Sequence, residues 1–94
     1  HYWVHKGIVY NIFLSDKPDK KLMAKYRNKK TDNINTIYFG GDPKKYDHYY
    51  DATGLLPKSM NHNDPERRRL FRTRFKSQYD GKPSPLTLSW HLLW

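Results

Sequence analysis

The sequence predicts an α+β domain: a small three-stranded antiparallel meander, then a basic helix, then an apolar C-terminal tail or short helix. Three observations carry this. β-branched and aromatic runs alternate with turn residues as far as Phe39. An Asp-Pro step at Asp64 opens an arginine-rich stretch. Bulky apolar residues dominate Leu86 to Trp94.

The first run, "GIVYNIFL" (Gly7 to Leu14), follows Lys6 and has the outline of a signal-peptide core. It is short, carries Asn11 and runs into "SDKPDK" without a small-residue cleavage site, so a buried strand is expected. "KLMAKYRN" (Lys21 to Asn28) alternates, with Leu22, Ala24 and Tyr26 on one face and Met23, Lys25 and Arg27 on the other. "KKTDN" reads as a loop and "INTIYF" (Ile34 to Phe39) as the next strand. The meander therefore occupies residues 7–40.

"GGDP" ends the sheet, because two glycines and an X-Pro step break regular structure. Residues 41–63 form a long aromatic loop, in which Tyr46, Tyr49 and Tyr50 have the i, i+3, i+4 spacing of a short helical turn. A connection of this length packs across the sheet or binds something. Asp64 then supplies an N-cap, Pro65 a first helical residue and Glu66 a first-turn acid. The helix spans 64–77. Leu70, Phe71 and Phe75 should meet the sheet, with Arg68, Arg69, Arg72 and Lys76 on the opposite side. "DGKPSP" (80–85) reads as a linker before the apolar tail, 86–94.

One domain at most fits in 94 residues, and with no cysteine it has no disulfide or thiolate metal site. The 36% hydrophobic content and mean hydropathy of -1.05 are low, whereas 16% aromatics argue against a disordered chain. Eighteen basic against nine acidic residues give +9, which favours polyanionic partners: nucleic acid, anionic membrane or acidic protein surfaces. No stretch approaches the roughly 18 apolar residues of a membrane span.

Catalysis finds little support. His48 and His62 lie near Asp47, Asp51 and Asp64 in the sequence without a metal-ligand spacing, and no serine sits in a nucleophile elbow. The expectation is a non-enzyme with no cofactor or metal. From Asp64 to Lys76 six basic residues face two acidic ones, a balance of +4. The candidate partner contacts are Arg67, Arg68, Arg69, Arg72, Arg74 and Lys76 of the helix, Trp90 and Trp94 of the tail, and Tyr46, Tyr49 and Tyr50 of the loop. Arginine pairs with phosphate and carboxylate alike, so residue type leaves both partners open. The tail either closes the domain's own core or docks into a neighbour.

The order "IYFGG…YYDATGL…NHNDPERRRLFRTRF…SPLTLSWHLLW" resembles a family of small basic proteins encoded by large nucleocytoplasmic DNA viruses. Phe39-Gly40 match its "hFG" step. His62, Asp64, Arg67 and Arg68 match its "H-x-D-x-x-R-R" helix start, and Leu93-Trp94 match its final "LLW". Arg74-Phe75 and "SPLTLSW" depart from the "R-H" and "xxFWS" common there. The resemblance covers roughly Lys20 to Trp94. It implies a virion component made in the infected host cell, a minor capsid or capsid-assembly (cement) protein contacting other capsid or virion proteins. It transfers no catalytic residue. A basic nucleic-acid-binding or packaging protein, holding DNA through the helix, is the alternative.

Overall fold

The computed structural model describes all residues, His1 to Trp94. Four strands, β1 (Tyr2–His5), β2 (Ile8–Leu14), β3 (Leu22–Arg27) and β4 (Ile34–Phe39), pair in chain order into one antiparallel sheet. The α+β class therefore holds, but the meander has four strands rather than three. The added strand is β1. Lys6 and Gly7, at φ 50 and 77, make the two-residue turn that suits strand twist, and they set His5 opposite Ile8.

Alternation decides which face is covered. Tyr10 and Ile12 of β2, Leu22 and Ala24 of β3 and Phe39 of β4 are buried on one face. Against them lies α2 (Pro85–Leu92), capped by the Ser84 hydroxyl, which accepts from the Thr87 amide at 3.1 Å. Leu88, Leu92 and Leu93 complete the core. The tail thus closes the chain's own core, and its helix starts at Pro85, inside the predicted linker. The other sheet face is bare, with Val4, Val9 and Phe13 exposed.

Helix α1 (Pro65–Phe75) starts where the sequence places it and passes into a 3-10 turn at Lys76–Gln78. The Asp64 carboxylate accepts from the amides of Glu66, at 3.0 Å, and Arg67, at 3.4 Å. Asp64→Ala is expected to cost about 0.5–2 kcal/mol in urea unfolding, the usual loss for an N-cap. An unchanged midpoint with α1 intact by NMR would show that the cap is idle.

The burial of α1 departs from expectation. None of its residues is buried, Leu70 is 53% exposed, and neither Phe71 nor Phe75 packs on the core. Phe71 instead stacks on Trp94, with centroids 4.5 Å apart and planes 3° off parallel. Because the helix leans on the chain's last residues, Arg68 and Arg72 are half-buried and not on an open face as expected.

The 41–63 loop is more ordered than an irregular connection. Tyr46, Tyr49 and Tyr50 form no helical turn: His48 makes a parallel bridge to Asn61, and a 3-10 turn occupies Lys58–Met60. The loop packs on the end of α2, where the amides of Tyr50 and Ala52 donate to the carbonyls of Leu93 and Leu92, and its Leu55 and Leu56 rest against the core that the sheet and α2 share. Asp51 folds its far end, accepting from the amides of Thr53, at 2.8 Å, and Leu56, at 2.9 Å.

Candidate functional site: an apolar cleft beside the arginine helix

Most of the arginines that stand out in the sequence are used by the chain itself. The last carbonyls of a helix lack partners and carry partial negative charge, so cations settle there. Trp90 lies in the last turn of α2, and Trp94 follows just beyond its end. Arg68 Nε donates to the Trp94 carbonyl at 2.7 Å, and Arg72 Nη2 donates to those of Trp94, at 3.1 Å, and Trp90, at 3.4 Å. The Arg72 guanidinium also lies over the Trp90 ring, 5.0 Å from its centroid, and Arg68 over Tyr49 at 5.2 Å. Burial, then the neighbouring Arg68, push Arg72 below the ordinary guanidinium range.

Arg67 pins the loop to the helix with two bonds to Asp47, at 2.7 and 3.3 Å. Those bonds hold the Asp47 carboxyl below its usual range. Arg69 pairs with Glu66 one turn back. Arg27, outside the helix, pairs with Asp32 at 2.9 Å. Among the six arginines, only Arg74 makes no hydrogen bond to the chain. Its guanidinium lies 5.2 Å from the Phe75 ring centroid.

The candidate aromatic contacts divide. Trp94 is held between Phe71 and His62, and Trp90 stacks on Tyr79 at 4.5 Å. Tyr49 meets His62 edge-on. Tyr46 and Tyr50 remain 61% and 56% exposed. The structure thus draws Arg67, Arg68, Arg72, Trp90, Trp94 and Tyr49 into its own packing. It leaves Arg69, Arg74, Lys76, Tyr46 and Tyr50 facing solvent.

Because α1 stands on the C-terminal residues, a cleft of about 760 Å³ opens between it and the end of β4. Leu70, Phe71, Phe75 and Leu86 supply apolar wall above the buried Phe39 and Leu93, and Tyr46 lies across Gly41 at one side. Lys20, Lys21, Arg67 and Arg74 also line it, against the single carboxylate of Asp47. Sequence reasoning missed Lys20, Leu86 and the exposed role of Leu70. No local signal marks them, because the cleft exists only through the long-range docking of α1. A second, open groove of about 330 Å³ on the far side of α1 is lined by Arg68, Arg69, Arg72 and Lys76 beside Trp90.

Lys21 has the most perturbed electrostatics. Its Nζ donates to His48 Nδ1 at 3.1 Å, while His48 Nε2 donates to Asn61 Oδ1 at 2.7 Å, which fixes a neutral imidazole. Burial pushes the Lys21 amine down to about 8 from its ordinary 10.5, and Asp47 and Asp51 oppose this only in part. Burial, then Lys21, likewise lowers His48. A lysine lowered by folding binds more protons in the unfolded chain, so its contribution to stability grows as pH rises from about 8 to 10.5. Lys21→Met should remove that rise. Urea midpoints of both proteins across this range check it, and parallel profiles would refute the assignment.

No group of three or more His, Cys, Asp or Glu side chains is placed to hold a metal ion, and no helix is long and apolar enough to cross a membrane. No protein-family model, curated protein or solved structure matches this chain.

Proposed function

We propose that this chain is a non-enzymatic structural component of a large DNA virus particle, a minor capsid or cement protein that joins other virion proteins. The viral setting comes from the sequence resemblance of Lys20 to Trp94. The mechanical role rests on one observation: Arg67, Arg68 and Arg72 are spent on the chain's own acceptors, and the cleft of about 760 Å³ beside Arg67 has apolar walls. Such a surface gains free energy by taking apolar side chains out of water, which duplex phosphates do not offer. The inward arginines make α1, the loop and the tail one body, as suits a part that holds larger proteins in register.

The test is cross-linking mass spectrometry on purified particles from infected cells. Cross-links from Lys20, Lys44 or Lys45 to shell proteins are expected. Absence of the chain from particles, or its recovery only with the genome, overturns the reading.

The second groove favours nucleic acid as the other reading, because four cations beside an indole suit a sugar-phosphate backbone. Purified chain on duplex DNA across a salt series separates the two. The structural reading expects no more than nonspecific affinity, roughly 10⁻⁴–10⁻⁶ M at physiological salt. Tighter binding that an Arg69→Ala, Lys76→Ala variant abolishes supports packaging instead.

A further inference from the structure

The cleft invites a definite occupant. Its accessible apolar walls are Leu70, Phe71 and Phe75 on α1 and Leu86 on α2, set beside Phe39 and Leu93, which are already buried in the core. The cations at this surface are unequal. Arg67 is neutralised by Asp47, which it holds through both oxygens, and Lys21 is buried against His48. Lys20 and Arg74 are exposed and make no ion pair with the chain. The free charge at the mouth is therefore positive, and no unpaired carboxylate of the lining opposes it.

Resting on the protein-binding role above, we propose that this cleft is a docking groove for a segment of a partner protein with bulky apolar side chains flanked by carboxylates. Leu70, 53% exposed, and Tyr46, 61% exposed, both line the cleft and offer apolar surface to the entering side chains. Lys20 and Arg74 receive the acidic flanks and fix the segment's direction. A second copy of this chain is a poor occupant, because two bodies of +9 repel. Phosphate backbone is a poor one too, since it would leave the apolar walls in water. The apolar anchor supplies affinity and the charges supply selection, the usual division in helix-in-groove and extended-segment recognition.

The probe is a short fluorescent peptide with Phe and two Leu set between glutamates. One control has lysines for the glutamates, the other serines for the apolar residues. Only the first peptide should bind, with amide shifts at Gly41, Leu70 and Arg74. Leu70→Asp and Arg74→Glu should each weaken it on the order of tenfold. Because Asp is a poorer helix former and Glu the wrong charge for the last turn of α1, binding is read at a temperature where circular dichroism shows both variants folded. Arg74→Glu should also improve binding of the lysine peptide. Equal binding of the serine peptide reduces the effect to bulk charge and overturns the groove, as does wild-type affinity in both variants. Displacement of the peptide by oleate with tighter binding of the oleate reassigns the cleft to a lipid. If the peptide fails while particle cross-links to shell proteins persist, the groove falls and the structural role stands. Peptide binding without such cross-links leaves the groove and removes the role.

Discussion

Leu93→Ala is expected to lower stability by about 2–5 kcal/mol, the range for a buried leucine whose site collapses only partly. Leu93 is 1% exposed and belongs to a core of eight buried apolar residues, whose close packing lets the neighbours fill the space only in part. Its backbone is engaged as well, since the Tyr50 amide donates to its carbonyl at 3.1 Å. Small domains hold only about 5–15 kcal/mol in total, so this change takes much of the margin. Urea unfolding followed by tryptophan fluorescence measures it. A loss below about 1 kcal/mol would mean that the tail is peripheral to the fold.

Gly40→Ala should approach the same size from the opposite cause. Gly40 sits at φ +78, and a Cβ there would lie 3.0 Å from Lys21 Cβ and 3.2 Å from Leu93 Cδ1. The left-handed backbone costs an L-residue about 1–2 kcal/mol, and forcing an extra methyl into a packed core adds about 1–3 kcal/mol. Gly54 is the control: its φ is +71 and nothing lies within 4 Å of a Cβ, so Gly54→Ala shows the backbone cost alone. Equal losses at the two positions would remove the steric part of the argument.

The strands that read clearly did so for a local reason. Leu22, Ala24 and Tyr26 alternate with Met23, Lys25 and Arg27, and one-sided burial imposes that pattern whatever the partner. The N-cap at Asp64 is equally local. β1 escaped because Tyr2, Trp3, Val4 and His5 are too few to show a period; the available signal was Lys6-Gly7, a two-residue turn ahead of a strong strand. The face of α1 was misjudged for a deeper reason. Phe71 and Phe75 need an apolar partner, but their spacing is silent on whether the sheet or Trp94 provides it. Arg68 and Arg72 share that silence: a guanidinium serves a carbonyl of its own chain as well as a foreign phosphate. The candidate site was therefore visible as an arginine cluster, and the cleft beside it was not.

The order of the core along the chain has a consequence for biogenesis. Strands from Tyr10 to Phe39 emerge first during synthesis, yet their inner face is covered by Leu88, Leu92 and Leu93. Until those residues leave the ribosome, Tyr10, Ile12 and Phe39 stay wet and open to other nascent chains. Closure over such a separation is slow relative to local hairpin formation. The molecule thus passes through a sticky half-made sheet each time it is translated, and chaperone capture should concentrate on nascent chains that have completed β4 but not α2.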